Sequence, residues 1–99
     1  MWIGSRKTVA KTLRATIRGR VQGVGYRDWV ERQAIGIGLR GYVRNRRDGS
    51  VELVLSGSDQ QVDSMLTLCK RGPRLAAVSD VEVASDDWTG EGFQVLPTF

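Results

Sequence analysis

From Leu13 to Arg20 the chain alternates, with Leu13, Ala15, Ile17 and Gly19 on one side and Arg14, Arg18 and Arg20 on the other. A period of two predicts a strand with one apolar face. Past a glycine-rich break the period lengthens. Trp29, Val30, Gln33, Ala34 and Ile37 fall near one face of a helix predicted from about Asp28 to Gly36. Gly36, Gly38 and Gly41 close that helix and begin the next strand. Alternation then returns over Leu39 to Arg47 and over Ser50 to Ser56, and the Asp48-Gly49 turn between them marks a hairpin. Ser58 followed by Gln61 is a capping-box pattern for a second helix, which Gly72-Pro73 ends. Val81 and Val83 mark one further strand and Phe93 and Val95 another, with a polar loop holding Trp88 between them.

This order, β-α-β-β-α-β with one extra C-terminal strand, predicts an α+β fold, the split β-α-β arrangement of ferredoxin-like α/β sandwiches. Two helices are expected on one face of a mainly antiparallel sheet, with the other face wet. Strands one and two run parallel in such a unit, so the loop leaving the first and the far end of the second meet at one sheet edge. The fold hosts many functions, and the site must argue for the reaction.

Two segments meet at that edge. Gly19-Arg20-Val21-Gln22-Gly23-Val24-Gly25-Tyr26-Arg27 joins strand to helix. Gly23 and Gly25 permit positive φ and let successive N–H groups converge on one oxyanion, and Arg27 adds a forked permanent cation where the helix begins. The free N–H groups and positive dipole end of a helix opening near Arg27 and Asp28 point at the same spot. Phosphate suits such a cradle; read alone, the same glycines equally make a tight turn beside a solvated arginine. In the second segment, Leu39, Gly41, Val43 and Asn45 share one face and Arg40, Tyr42, Arg44 and Arg46 the other. Asn45 therefore points with the apolar residues. Its amide either bonds the adjacent Asp-Gly turn or meets a ligand.

Taken together, Ile17, Gly19, Val21, Gln22, Gly23, Val24, Tyr26 and Arg27, then Gly41, Tyr42, Val43, Asn45, Gly49, Val51 and Gly57, resemble the two signature segments of the acylphosphatase family. Tyr26 stands where the family more often has phenylalanine, and the ring is kept. The resemblance extends from about Leu13 to the C-terminus, giving an acylphosphatase-like domain over 13–99, and leaves Met1 to Thr12 as an extension expected to fray. It implies hydrolysis of acyl phosphates without cofactor or metal. Arg27 and the loop N–H groups of Gln22, Gly23, Val24, Gly25, Tyr26 and Arg27 would bind the phosphate, and Asn45 would orient the attacking water.

Composition agrees with one compact module: 99 residues, 40% of them hydrophobic, with only two prolines. No apolar run is long enough to span a bilayer, and no signal-like apolar stretch follows Met1-Trp2-Ile3-Gly4-Ser5-Arg6-Lys7, so a cytoplasmic protein is expected. The single thiol, Cys69, shares a helical face with Val62, Met65 and Leu66 and reads as core. Charge is uneven, +10 over Met1 to Arg47 and −6 over Asp48 to Phe99, for a net +4. Arg14, Arg18 and Arg20 with Arg40, Arg44 and Arg46 are expected to lend the sheet a positive field that draws in anions.

The chain has no histidine, which restricts general acid catalysis. Acyl phosphates fit that restriction, because a carboxylate whose conjugate acid has a pKa of roughly 4 to 5 leaves without protonation. Two other classes compete. One is a module that binds a phosphate or carbamoyl phosphate without turnover, as in larger maturation proteins; the lack of a downstream zinc or nucleotide-binding segment here favours a free enzyme. The other is an RNA-binding sheet, for which Arg40-Gly41-Tyr42 is a faint signature without its aromatic platform. A small-molecule partner, a monomer and no nucleic acid are the expectations.

Overall fold

A computed structural model describes residues 10–99. Seven elements follow in order: β1 (Lys11–Arg20), α1 (Tyr26–Ile37), β2 (Arg40–Asn45), β3 (Val51–Gly57), α2 (Asp59–Arg71), β4 (Ala77–Ser85) and β5 (Phe93–Val95). The sheet order is β4-β1-β3-β2-β5. Every neighbouring pair is antiparallel except β2 with β5, which is parallel. β3 thus lies between β1 and β2, and those two run the same way. Their C-terminal ends, Arg20 and Asn45, reach one edge as the split topology predicts.

Strand β1 begins two residues before the expected Leu13, because Lys11 and Thr12 pair with Gly57 and Ser56. Both are held in the sheet. Ala10 precedes the strand and is exposed, and residues 1–9 of the stretch expected to fray lie outside the described residues.

Helix α1 also starts earlier than the pattern predicts. Gly25, at φ 77° and ψ 19°, turns the chain so that Tyr26 is already helical. Tyr26 is buried, its ring 5.6 Å from that of Trp29 and its hydroxyl donating to the Cys69 carbonyl at 2.9 Å. Gly38 ends the helix in the left-handed region, its N–H donating to the carbonyls of Ala34 and Ile35. The α2 capping box is formed: Gln61 N–H donates to Ser58 Oγ at 3.1 Å, and Ser58 N–H donates to Gln61 Oε1 at 2.9 Å. Gln61 also donates through Nε2 to the Ile37 carbonyl at 3.0 Å, tying the start of α2 to the end of α1. Among the described residues no helix is long and apolar enough to cross a membrane.

One core joins the layers, with Ala15 and Ile17 from β1, Leu53 and Leu55 from β3, Val30 and Ala34 from α1, and Val62, Met65 and Cys69 from α2. Cys69 is fully buried, and that burial pushes its thiol up to about 12.

The face away from the helices is not uniformly wet. Glu52, Val54 and Ser56 point outward from β3 yet are 5%, 0% and 3% exposed. A central strand is flanked on both sides, and Val54 lies in register between Arg14 and Tyr42. Glu52 accepts from the Tyr42 hydroxyl at 2.6 Å and pairs with Arg44 at 3.3 Å and Arg46 at 3.7 Å. Removing a buried charge's partner strands the rest, so Glu52→Ala is expected to cost about 3 kcal/mol of stability, read as a lower urea midpoint at unchanged slope. Burial first, then the Glu52 hydrogen bond, pushes Tyr42 up to about 12. Because the unfolded chain loses that proton near pH 10, stability is full below it and falls as pH rises from 10 toward 12. In Tyr42→Phe the alkaline fall in the urea midpoint should be shallower; an unchanged fall would remove Tyr42 as a contributor.

The expected positive field over this face is largely neutralised by the acidic second half of the chain. Arg14 meets Asp86 at 3.2 Å, Arg18 meets Glu82 at 2.9 Å, and Arg44 and Arg46 share Glu52. Linear charge asymmetry is folded into cross-strand pairs.

Candidate active site

The β1 register slips between Arg18 and Gly19, and the strand then leaves the sheet into the loop of residues 21–25. Gly23 at φ 73° and Gly25 at φ 77° are both left-handed, a conformation that side-chain-bearing residues rarely adopt. A Cβ on either would project into open space, so nothing but bare main chain lines that side of the loop. No side chain caps α1. The first helical N–H with an acceptor is that of Trp29, which donates to the Gly25 carbonyl at 3.1 Å. Among the described residues, no bond outside regular helix and strand pairing is donated by the main-chain N–H groups of Gln22 to Asp28. These are unspent donors at the positive end of a helix.

They border a small hollow of about 110 Å³ lined by Val21, Gly23, Gly25, Tyr26, Arg27, Asp28 and Asn45. Arg27 is half-buried and forms no ion pair among the described residues. Its fork is free for a bidentate guest. Asp28 is the only acidic side chain in the lining, and it is exposed, so solvent and salt screen it. Asn45 enters from the end of β2. Its carbonyl accepts from the Phe99 N–H at 2.9 Å, while its side-chain Oδ1 is buried with no partner. The adjacent turn does not use the amide: Asp48 accepts from the Ser50 N–H at 2.9 Å and from the Ser50 hydroxyl at 2.6 Å, and these bonds hold the Asp48 carboxyl below its usual range. Asn45 thus brings to the lining of this donor-rich hollow a side chain whose acceptor has no partner among the described residues.

Of the residues singled out in the sequence, Gly23, Gly25, Tyr26, Arg27 and Asn45 thus come together around the hollow. Gln22 and Val24 do not line it. Val24 packs against the core. Gln22 reaches instead to the hairpin, its Nε2 donating to the carbonyls of Arg46 at 2.8 Å and Ser50 at 2.7 Å. This is a clamp between the loop and the strand end that carries Asn45. Sequence pattern has no signal for it, because the partner carbonyls lie 24 and 28 residues away. The Phe99 main-chain bond to Asn45 is equally silent in sequence.

A larger concavity, about 490 Å³, lies on the open face of the sheet among Arg14, Arg18, Arg46, Glu52 and Glu82. Its arginines are already paired with carboxylates, so it offers an anion no free donor set. Size does not select the site here.

A family model for acylphosphatase matches residues 13–95. The chain belongs to the acylphosphatase family. An acylphosphatase of Bradyrhizobium diazoefficiens is 50% identical over 93 residues, covering 87% of this chain and 94% of the relative. The crystal structure of acylphosphatase from Bacillus subtilis superposes with a TM-score of 0.82 at 33% identity, over 89% of this chain and 99% of that one. T. kodakarensis HypF gives a TM-score of 0.75 at 33% identity over 86% of this chain but only 11% of its own. Acylphosphatase-family architecture therefore also occurs as a small part of a much longer chain.

The Gln22 clamp carries a prediction for this family member. Gln22→Ala frees two carbonyls and uncouples the loop from Asn45. We expect kcat for acetyl phosphate to fall about 10-fold to 100-fold with a smaller change in phosphate inhibition, since misplacement by about 1 Å costs on that order. Steady-state kinetics with inorganic phosphate as inhibitor checks this; equal losses in both would assign Gln22 to anion binding.

Proposed function

We propose that this member of the acylphosphatase family hydrolyses the carboxyl-phosphate bond of acyl phosphates by in-line attack of water, with neither a metal ion nor a phosphoenzyme. The phosphoryl oxygens take the loop N–H groups of Gln22 to Arg27 and the Arg27 fork. Asn45 Oδ1 accepts a hydrogen bond from the attacking water and aims its oxygen at phosphorus. The new P–O bond forms as the bond to the carboxylate oxygen breaks, and the electron pair leaves with that carboxylate. The water's proton passes to a phosphoryl oxygen of the substrate, yielding inorganic phosphate. Positioning and charge stabilisation are the whole of the protein's contribution, as is usual in phosphoryl transfer.

The observation that carries this reading is that Asn45, whose buried Oδ1 has no partner among the described residues, lines the same hollow as Arg27. A phosphate-binding module needs donors there; an unused acceptor suits a nucleophilic water. The test is release of orthophosphate from acetyl phosphate by the purified chain in the presence of a chelator. Turnover supports hydrolysis, whereas phosphate or carbamoyl phosphate binding without turnover would favour the non-catalytic module. The same reading makes the protein a cytoplasmic monomer with a small-molecule substrate and no nucleic-acid partner. Tyr42, the aromatic residue of the faint RNA signature, supports this last point, since its hydroxyl bonds Glu52 and its ring meets Trp88 at 6.3 Å.

A further inference from the structure

A second concavity, about 340 Å³, adjoins the cradle and is lined by Val24, Gly25, Trp29, Arg32, Arg74 and Leu75. Gly25, a residue with no side chain, lines both hollows. The sheet order sets their relation. β4 begins at Ala77, opposite Arg20 on one flank of β1, just after Arg74 and Leu75. Asn45 ends β2, beyond β3 on the other flank. The loop of residues 21–25 leaves β1 between them, with the groove to one side and Asn45 to the other. In-line displacement puts the attacking water and the departing oxygen on opposite sides of phosphorus. With water at Asn45, the acyl group is directed into the groove.

The groove's chemistry is distinctive. Leu75 is 67% exposed, the most exposed large apolar side chain among the described residues, and Trp29 lies half-buried beside it. Arg32 and Arg74 are exposed and neither is in an ion pair among the described residues. An apolar strip bordered by two unpaired guanidiniums suits a flat apolar body ending in an anion. Resting on the hydrolase reading above, we infer that this groove is the acyl-group subsite and that it favours acyl phosphates whose acyl part carries an aromatic or extended apolar body and a distal carboxylate.

The experiment compares acetyl, benzoyl and 4-carboxybenzoyl phosphate on the full chain and on Leu75→Ser and the double variant Arg32→Gln with Arg74→Gln. The parent should prefer 4-carboxybenzoyl over benzoyl phosphate in kcat/KM. In the double variant that ratio should fall at least about fivefold, while acetyl phosphate turnover stays within about twofold after correction for ionic strength. Leu75→Ser should lose at least threefold on both aryl substrates and little on acetyl phosphate. Substrate ratios that do not move in either variant would overturn the subsite. Binding of 4-carboxybenzoylphosphonate, measured by calorimetry against inorganic phosphate, separates this from the activity reading. If the parent releases no orthophosphate, the hydrolase proposal fails; the subsite still stands or falls on whether the phosphonate binds tighter than phosphate and loses that advantage in the variants.

Discussion

Arg27→Lys is expected to lower kcat/KM for acetyl phosphate about 10³-fold, the scale seen when a preorganised oxyanion donor is lost. A lysine keeps the positive charge, so a role limited to long-range attraction would survive the change. It does not keep the fork. The hollow of about 110 Å³ is bordered by main-chain donors at fixed positions, and a planar guanidinium can add two parallel N–H bonds to a tetrahedral anion there. An ammonium on a flexible stem offers one point charge, and on this geometry it forfeits about 4 kcal/mol of transition-state stabilisation. Arg27 is half-buried and in no ion pair among the described residues, so the urea midpoint should barely move. Turnover within tenfold of the parent would reduce Arg27 to a surface charge and remove the central cation from the mechanism.

Asn45→Ala should separate turnover from binding. Loss of the amide removes the group proposed to hold the water, and kcat is expected to drop about 10²-fold to 10³-fold. The inhibition constant for inorganic phosphate should change no more than a few-fold, since the N–H groups and Arg27 remain. Stability gives an independent readout. Asn45 Oδ1 accepts no hydrogen bond from another described residue, so truncating the side chain breaks none and the urea midpoint should stay close to the parent's. Parental turnover in Asn45→Ala would sink the water assignment, and a large loss of phosphate affinity would move Asn45 into the anion site.

Much of the architecture is legible in the chain because local periodicity and capping chemistry agree with the tertiary outcome. The Ser58 and Gln61 box, the Asp48-Gly49 turn and the alternation of β1 all read directly. The early start of α1 does not, because Tyr26 carries no helix-start signal; the left-handed turn at Gly25 and the pocket against Trp29 and Cys69 place it in the first turn. The burial of Glu52 is hidden for a related reason. Alternation says which side of a strand a residue takes, but only sheet order says that β3 is central, its outward residues hemmed in by side chains of β1 and β2.

For the candidate site the division falls between kinds of residue and their relations. Glycines that permit left-handed turns, an arginine at a helix start and an amide on an apolar strand face are written in the chain, because backbone freedom and side-chain chemistry are local properties. Their meeting is not local. The antiparallel pairing of β3 with both β1 and β2 carries the loop and Asn45 to one edge, and the Gln22 side chain then ties them through carbonyls far along the chain. Only the folded sheet leaves Asn45 Oδ1 without a partner, since satisfaction of a buried polar atom depends on everything packed around it.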